Sequence, residues 1–229
     1  MALSPEQRKK EAGAYRVQLR WPLISGLIAV ALVILGGLLI AVRDFEMVPF
    51  EIDEEWMEEL VERRDPFGQA TAELFDRLGG GVIGVFVVPL AIIAVLLIVK
   101  RKWAALYFTV ATILSAGLVQ LIKNTVDRPR PEEILIAADF GSFPSGHTAN
   151  AATMAVTLAL ILRRYWIWIV GALYVFAMLV SRTYLGAHWL TDTLGGMLLG
   201  AGIAFIVWAP FAHRLHLERR RKQPDAEVT

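Results

Sequence analysis

The chain has 229 residues and a net charge of +1, and 56% of its residues are hydrophobic. With a mean hydropathy of +0.52 this is more apolar surface than a soluble core of that length can bury, which argues against a soluble helical bundle and for a lipid-facing exterior. The absence of cysteine removes disulfides and thiolate metal sites; the net charge argues neither for nor against a polyanionic partner, and no nucleic acid is expected.

A helix needs about 20 apolar residues to cross a bilayer. The first element is a basic tail, residues 1–21, holding Arg8, Lys9, Lys10, Arg16 and Arg20. The apolar run Pro22–Val42 follows. Its 21 residues are too many for the core of a cleaved signal, and no small-residue cleavage site precedes Arg43, so it reads as a retained transmembrane helix. Residues 43–80 form a loop with twelve acidic residues: Asp44, Glu46, Glu51, Asp53, Glu54, Glu55, Glu58, Glu59, Glu62, Asp65, Glu73 and Asp76. Within it Ile52, Trp56 and Leu60 recur at i, i+4 and i+8, with Met57 and Val61 beside them, which predicts an amphipathic helix on the membrane surface. The loop is expected to be a solvated cap rather than a catalytic element, and its glutamates show no metal-ligand spacing. Further spans are predicted at Gly81–Val99, Trp103–Ile122, His147–Leu162, Trp166–Val180 and Leu190–Phe211, the fourth and fifth of the six being short. Trp21, Trp103, Trp166, Trp168, Trp189 and Trp208 stand at or near span ends, where indoles favour the interface. The expected fold is all-α: a six-transmembrane-helix bundle over residues 22–212, an amphipathic surface helix between helices 1 and 2, and basic tails at 1–21 and 213–229.

The basic residues orient it. The N-terminal tail, Lys100–Lys102, Arg163–Arg164 and the tail with Arg214, Arg219, Arg220, Arg221 and Lys222 hold 15 of the 23 Lys and Arg, all on one side if six helices alternate. The positive-inside rule makes that side cytoplasmic. Both termini are then inside, and residues 43–80, 123–146 and 181–189 are outside.

Three outer segments carry chemistry. Lys123 ends the third span, and Arg128 and Arg130 follow, with Pro129 and Pro131 stiffening the chain. Such cations suit a phosphate ligand, although alone they would serve equally as a contact to lipid head groups. Pro144-Ser145-Gly146-His147 opens the fourth span; a helix start with Ser and Gly can bind an anion, or can be an ordinary cap with a structural histidine. His188 and Asp192 lie at i and i+4 on one face of the last span, after Ser181 and Arg182. A carboxylate there fixes the imidazole tautomer and readies its other nitrogen as base or nucleophile; the plain alternative is a paired polar contact. His213 and His216 fall on the inner side and read as part of the basic tail.

Together these segments resemble the type 2 phosphatidic acid phosphatase (PAP2) family of membrane phosphatases. Its pattern K-x6-R-P, P-S-G-H and S-R-x5-H-x3-D is met without mismatch by Lys123, Arg130 and Pro131, by Pro144 to His147, and by Ser181, Arg182, His188 and Asp192. The resemblance implies that His188 is the nucleophile, forming a phosphohistidine, that Asp192 orients it, and that His147 is the general acid. It implies that Lys123, Arg130, Arg182, Ser145 and the Gly146 N–H hold the phosphoryl oxygens, with no metal or other cofactor. The implied substrate is a phosphorylated lipid met at the outer face of the cell membrane: undecaprenyl diphosphate, phosphatidylglycerol phosphate or phosphatidic acid. A lipid phosphotransferase using the same phosphohistidine, or a lipid-binding or transport protein on the same scaffold, are the alternatives. Arg128 matches no fixed motif position, and oligomeric state is not legible.

Overall fold

The computed structural model describes residues 5–43, 49–137 and 140–220, with side chains from Arg20 onward. Asp44, Glu46, Arg221 and Lys222, and the side chains of Arg8, Lys9, Lys10 and Arg16, lie outside the described residues. Among the described residues eight α-helices run in the order α1 (Pro5–Arg43), α2 (Glu51–Glu62), α3 (Pro66–Gly79), α4 (Val88–Ile98, entered through a π-helical turn at Ile83–Val87), α5 (Lys102–Val126), α6 (Gly146–Leu162), α7 (Tyr165–Tyr184) and α8 (Leu190–Arg220). No strand occurs among the described residues.

Among the described residues four stretches are long and apolar enough to cross a membrane: residues 20–43 of α1, α5, α7 and α8. Helix α3 and the helix Ile83–Ile98 make a fifth only if counted as one span bent by 44°. Helix α6 is apolar but shorter. Its shortness follows from its position. It is enclosed by α5, α7 and α8. It needs no lipid-matched length there, and it buries Thr153 and Thr157, whose hydroxyls donate back to the carbonyls of Ala149 and Thr153. Large apolar side chains face outward, with Leu27, Ile28, Leu35 and Leu38 of α1 more than half exposed, as an integral membrane protein requires.

Helices α6 and α8 touch through bare backbone. A Cβ on Gly196 would lie 2.3 Å from the Ser145 carbonyl oxygen, and one on Gly200 would lie 2.1 Å from that of Ala149. Only glycine permits this approach.

The acidic segment departs from a solvated cap. Helix α3 starts on Asp65, whose Oδ1 accepts from the N–H groups of Phe67 and Gly68, with Pro66 in the first turn. It is strapped to α7 by Ser181 Oγ donating to the Ala72 carbonyl (2.7 Å) and by the Asp65 N–H donating to the Tyr184 hydroxyl (2.7 Å). In α2 the buried residues are Asp53 and Met57, while Ile52 is 55% exposed and Trp56 and Leu60 are half-buried. The buried face is therefore rotated from the predicted Ile52–Trp56–Leu60 stripe. Asp53 decides it, because its carboxylate finds a buried cation and two further donors in the bundle.

Candidate active site

Helix α5 stops where Asp127 turns left-handed (φ 48°, ψ 41°), placing Lys123 in its last turn. Lys123 is buried, and its Nζ donates to the Gly141 carbonyl (2.9 Å). Arg130 donates from Nη2 to the same carbonyl (2.9 Å) and from Nη1 to the Ala187 carbonyl. The residue 140–145 strand of loop is thereby stitched to the turn before α8.

His188 sits in the turn between α7 and α8, 2% exposed. Its Nδ1 lies 2.8 Å from the Ser142 carbonyl oxygen and 3.6 Å from Asp192 Oδ2. A carbonyl can only accept, so Nδ1 carries the hydrogen and Nε2 keeps its lone pair. That lone pair is 3.5 Å from Arg130 Nη1. Burial, followed by the charges of Arg182, Arg130, Lys123 and His147, holds the imidazole well below the ordinary histidine range.

Asp192, in the first turn of α8, is fully buried. Its Oδ2 accepts from the Trp189 N–H (2.9 Å) and its Oδ1 from Arg128 Nη1 (2.6 Å). The partner expected for His188 is thus present on the predicted face, but the nearer acceptor is a main-chain carbonyl. Arg128 completes a buried network: its Nη2 donates to Asp53 Oδ2 (2.8 Å), and Asp53 also accepts from the Thr191 N–H (2.8 Å) and hydroxyl (2.7 Å). Burial opposes the Arg128 charge, but Asp192 and Asp53 outweigh it and raise the guanidinium above its usual value.

Ser145 is the N-cap of α6 but is fully buried: its N–H donates to the Asp192 carbonyl (2.9 Å) and its Oγ accepts from Thr148 (3.2 Å). It ties α6 to α8 and is not among the residues lining the cavity. Gly146 and His147 do face the cavity. His147 Nε2 lies 3.1 Å from Asp76 Oδ1, and the same oxygen accepts from Arg182 Nη1, on the last turn of α7. Asp76 belongs to the acidic segment that the spacing gave no reason to place here.

These groups meet at one end of a cavity of about 810 Å³, which Asp76, Lys123, His147, Arg182 and His188 line. Its remaining walls are mostly apolar, with Phe86 and Leu90 from the α4 side and Ile113 from α5. Two lining cations, with Arg130 Nη1 beside His188 Nε2, a lone-pair nitrogen and a second imidazole in a mostly apolar cavity can bind a phosphoryl group attached to a hydrocarbon. Among the described residues no group of three or more His, Asp or Glu is arranged to hold a metal ion.

The family model described as "PAP2 superfamily" matches residues 104–215. Phosphatidylglycerophosphatase B of Bacillus subtilis is 30% identical over 134 residues, which are 53% of this chain; the chain spans just under two thirds (66%) of that protein. Decaprenylphosphoryl-5-phosphoribose phosphatase of Mycobacterium tuberculosis is 31% identical over 143 residues, covering 60% of this chain and 77% of that one. The crystal structure of a transmembrane PAP2-type phosphatidylglycerolphosphate phosphatase from Bacillus subtilis superposes with a TM-score of 0.62 at 23% identity, covering 87% of this chain and 98% of that one, a likeness of fold.

Proposed function

We propose that this chain, which belongs to the PAP2 superfamily, hydrolyses the phosphate monoester or diphosphate of a membrane lipid through a phosphohistidine. One observation carries the reading: His188 has its Nδ1 hydrogen engaged by a carbonyl, so its Nε2 lone pair is presented, with Arg130 beside it, in a mostly apolar cavity that His188, Lys123 and Arg182 line. The lipid chains lie along the apolar walls. Lys123, Arg130 and Arg182, with the Gly146 N–H, neutralise the phosphoryl oxygens, and phosphoryl transfer depends chiefly on such positioning and charge. Nε2 of His188 bonds to phosphorus as the bond to the leaving oxygen breaks, and His147 gives that oxygen a proton. Water then attacks phosphorus, His147 takes the water proton, and the P–N electron pair returns to His188 as phosphate departs. Asp192, tied to Arg128, holds negative charge near Nδ1 while the ring becomes cationic.

Six crossings fit this chemistry: α1, Ile83–Ile98, α5, α6, α7 and α8, with α2 and α3 on the outer surface beside the site. Both termini are then cytoplasmic, and residues 22–212 form the catalytic unit between basic tails. Undecaprenyl diphosphate, phosphatidylglycerol phosphate and phosphatidic acid are the candidate substrates. The phosphoryl-binding cations take the place of a divalent ion, so turnover should persist in EDTA.

The test is phosphate release by purified protein from these lipids, with EDTA present and no acceptor alcohol. Release is expected, and His188→Ala should lower it by ~10²–10⁴-fold or more while the protein stays folded. Near-normal turnover by His188→Ala would overturn the mechanism. Transfer only when an acceptor is supplied would make the protein a phosphotransferase instead.

A further inference from the structure

Asp76 enters the cavity from α3, whose sequence reads as part of a solvated acidic loop. Its Oδ1 accepts from His147 Nε2 (3.1 Å) and from Arg182 Nη1. Neither partner is a mobile surface group. Arg182 is 3% exposed, and α3 is pinned to α7 through Ser181, Ala72 and Tyr184. Just past the end of α3 the main chain closes over the imidazole: a Cβ at Gly80 would lie 1.8 Å from His147 Nε2. The tip of His147 is therefore held between bare main chain and a carboxylate. The other charged or titratable groups among the described residues lining the cavity are Arg182 from α7, Lys123 from α5 and His188 from the turn before α8; among those described residues Asp76 is the one acid. Without Asp76 an imidazolium there would face, among the described lining residues, two cations and a second imidazole.

We propose that Asp76 is a positioning residue for proton transfer, holding the proton on Nε2 of His147 and balancing the charge of the imidazolium until a leaving oxygen takes that proton. The proposal rests on the phosphatase reading above and adds a residue outside the matched motifs. As the P–O bond breaks, the Nε2 proton passes from the ring to the leaving oxygen and Asp76 stays ionised. When Nε2 then takes the water proton, Asp76 pairs again with the imidazolium. The two histidines are thus set to opposite duties by their acceptors. A carbonyl on Nδ1 leaves His188 a lone pair at its tip, whereas a carboxylate on Nε2 leaves His147 a proton at its tip.

The test compares wild type, Asp76→Asn and Asp76→Glu on a lipid phosphate monoester, whose alkoxide leaves poorly, and on an aryl phosphate, whose phenolate leaves well. Asp76→Asn should lose kcat on the lipid ester by ~10–100-fold and much less on the aryl ester, as a fault in acid catalysis does. The alkaline limb of its kcat/KM profile should move to lower pH, because the protonated ring has lost its counter-charge. Inhibition by inorganic phosphate should be unchanged or tighter, since a negative charge next to Arg182 is gone. Asp76→Glu should restore part of the lipid-ester rate, and it carries the test if Asp76→Asn does not fold. Equal losses on both esters with an unmoved pH profile, no rescue by Glu, or full activity of Asp76→Asn would each overturn the assignment alone. If wild type releases phosphate from neither ester, the phosphatase reading fails and this assignment falls with it.

Discussion

Substituting Asp53→Ala should loosen α2 from the bundle although Asp53 stands outside the cavity. Its carboxylate is fully buried and accepts three hydrogen bonds, from Arg128 Nη2, the Thr191 N–H and the Thr191 hydroxyl. Removing one partner of a buried ion pair costs roughly 3–5 kcal/mol, and the orphaned Thr191 N–H adds to the loss. Arg128 is not left alone, however, because Asp192 still holds its Nη1 at 2.6 Å. The surviving pair is neutral, so the lower end applies, about 3 kcal/mol. For a chain of this size that is a fall of roughly 6–12 °C in melting midpoint. Arg128→Ala should be worse, about 5 kcal/mol, since it strands two fully buried carboxylates without their cation. The assay is the thermal midpoint in one detergent, with exposed Glu58→Ala as the control that should not move. If Asp53→Ala matched Glu58→Ala, or fell further than Arg128→Ala, the network would not be what fixes α2 to the bundle.

The pH dependence of His188 has a definite sign. With its imidazole held well below the usual 6.5, chiefly by burial and then by Arg182, Arg130 and Lys123, it stays unprotonated as pH falls through 6.5. The acid limb of kcat/KM should therefore lie clearly below pH 6.5; a limb at or above it would contradict the assignment. Gly200→Ala places a Cβ 2.1 Å from the Ala149 carbonyl oxygen, a backbone atom that cannot turn aside, and should cost roughly 1–3 kcal/mol of thermal stability; an unchanged midpoint would count against the close α6–α8 approach. The chain lacks cysteine, so single substitutions report topology cleanly. In intact cells a membrane-impermeant maleimide should label Glu58→Cys and spare Lys100→Cys, and the reverse pattern would invert the proposed orientation.

Apolar runs located the long helices well but ended them early. The runs Trp103–Ile122 and Trp166–Val180 became α5, Lys102–Val126, and α7, Tyr165–Tyr184. Counting stops at the first charge, whereas Lys123 and Arg182 continue their helices because carbonyl or carboxylate partners accept their charge inside the fold. The motif residues were legible because their chemistry is in their side chains and their order along the chain. Asp53 and Asp76 were not, being two among twelve acids whose spacing distinguishes neither. The acceptor for His188 was also hidden, since a main-chain carbonyl at Ser142 leaves no mark in the sequence. Ser145 shows the converse: its type suited a ligand-facing cap, but the contact of α6 with α8 buried it.

The glycine seam between α6 and α8 also bears on how the proposed catalyst would change its diet. His147 rides on one of those helices, and His188 is anchored at the threshold of the other. The gap between His147 and His188 is therefore gauged by main-chain atoms, which exchange of ordinary side chains leaves alone. The facing wall, from α4 and α5, is made of interchangeable hydrocarbon such as Phe86, Leu90 and Ile113. On the proposed function, remodelling that wall would admit a longer, shorter or more branched lipid while the two histidines keep their spacing.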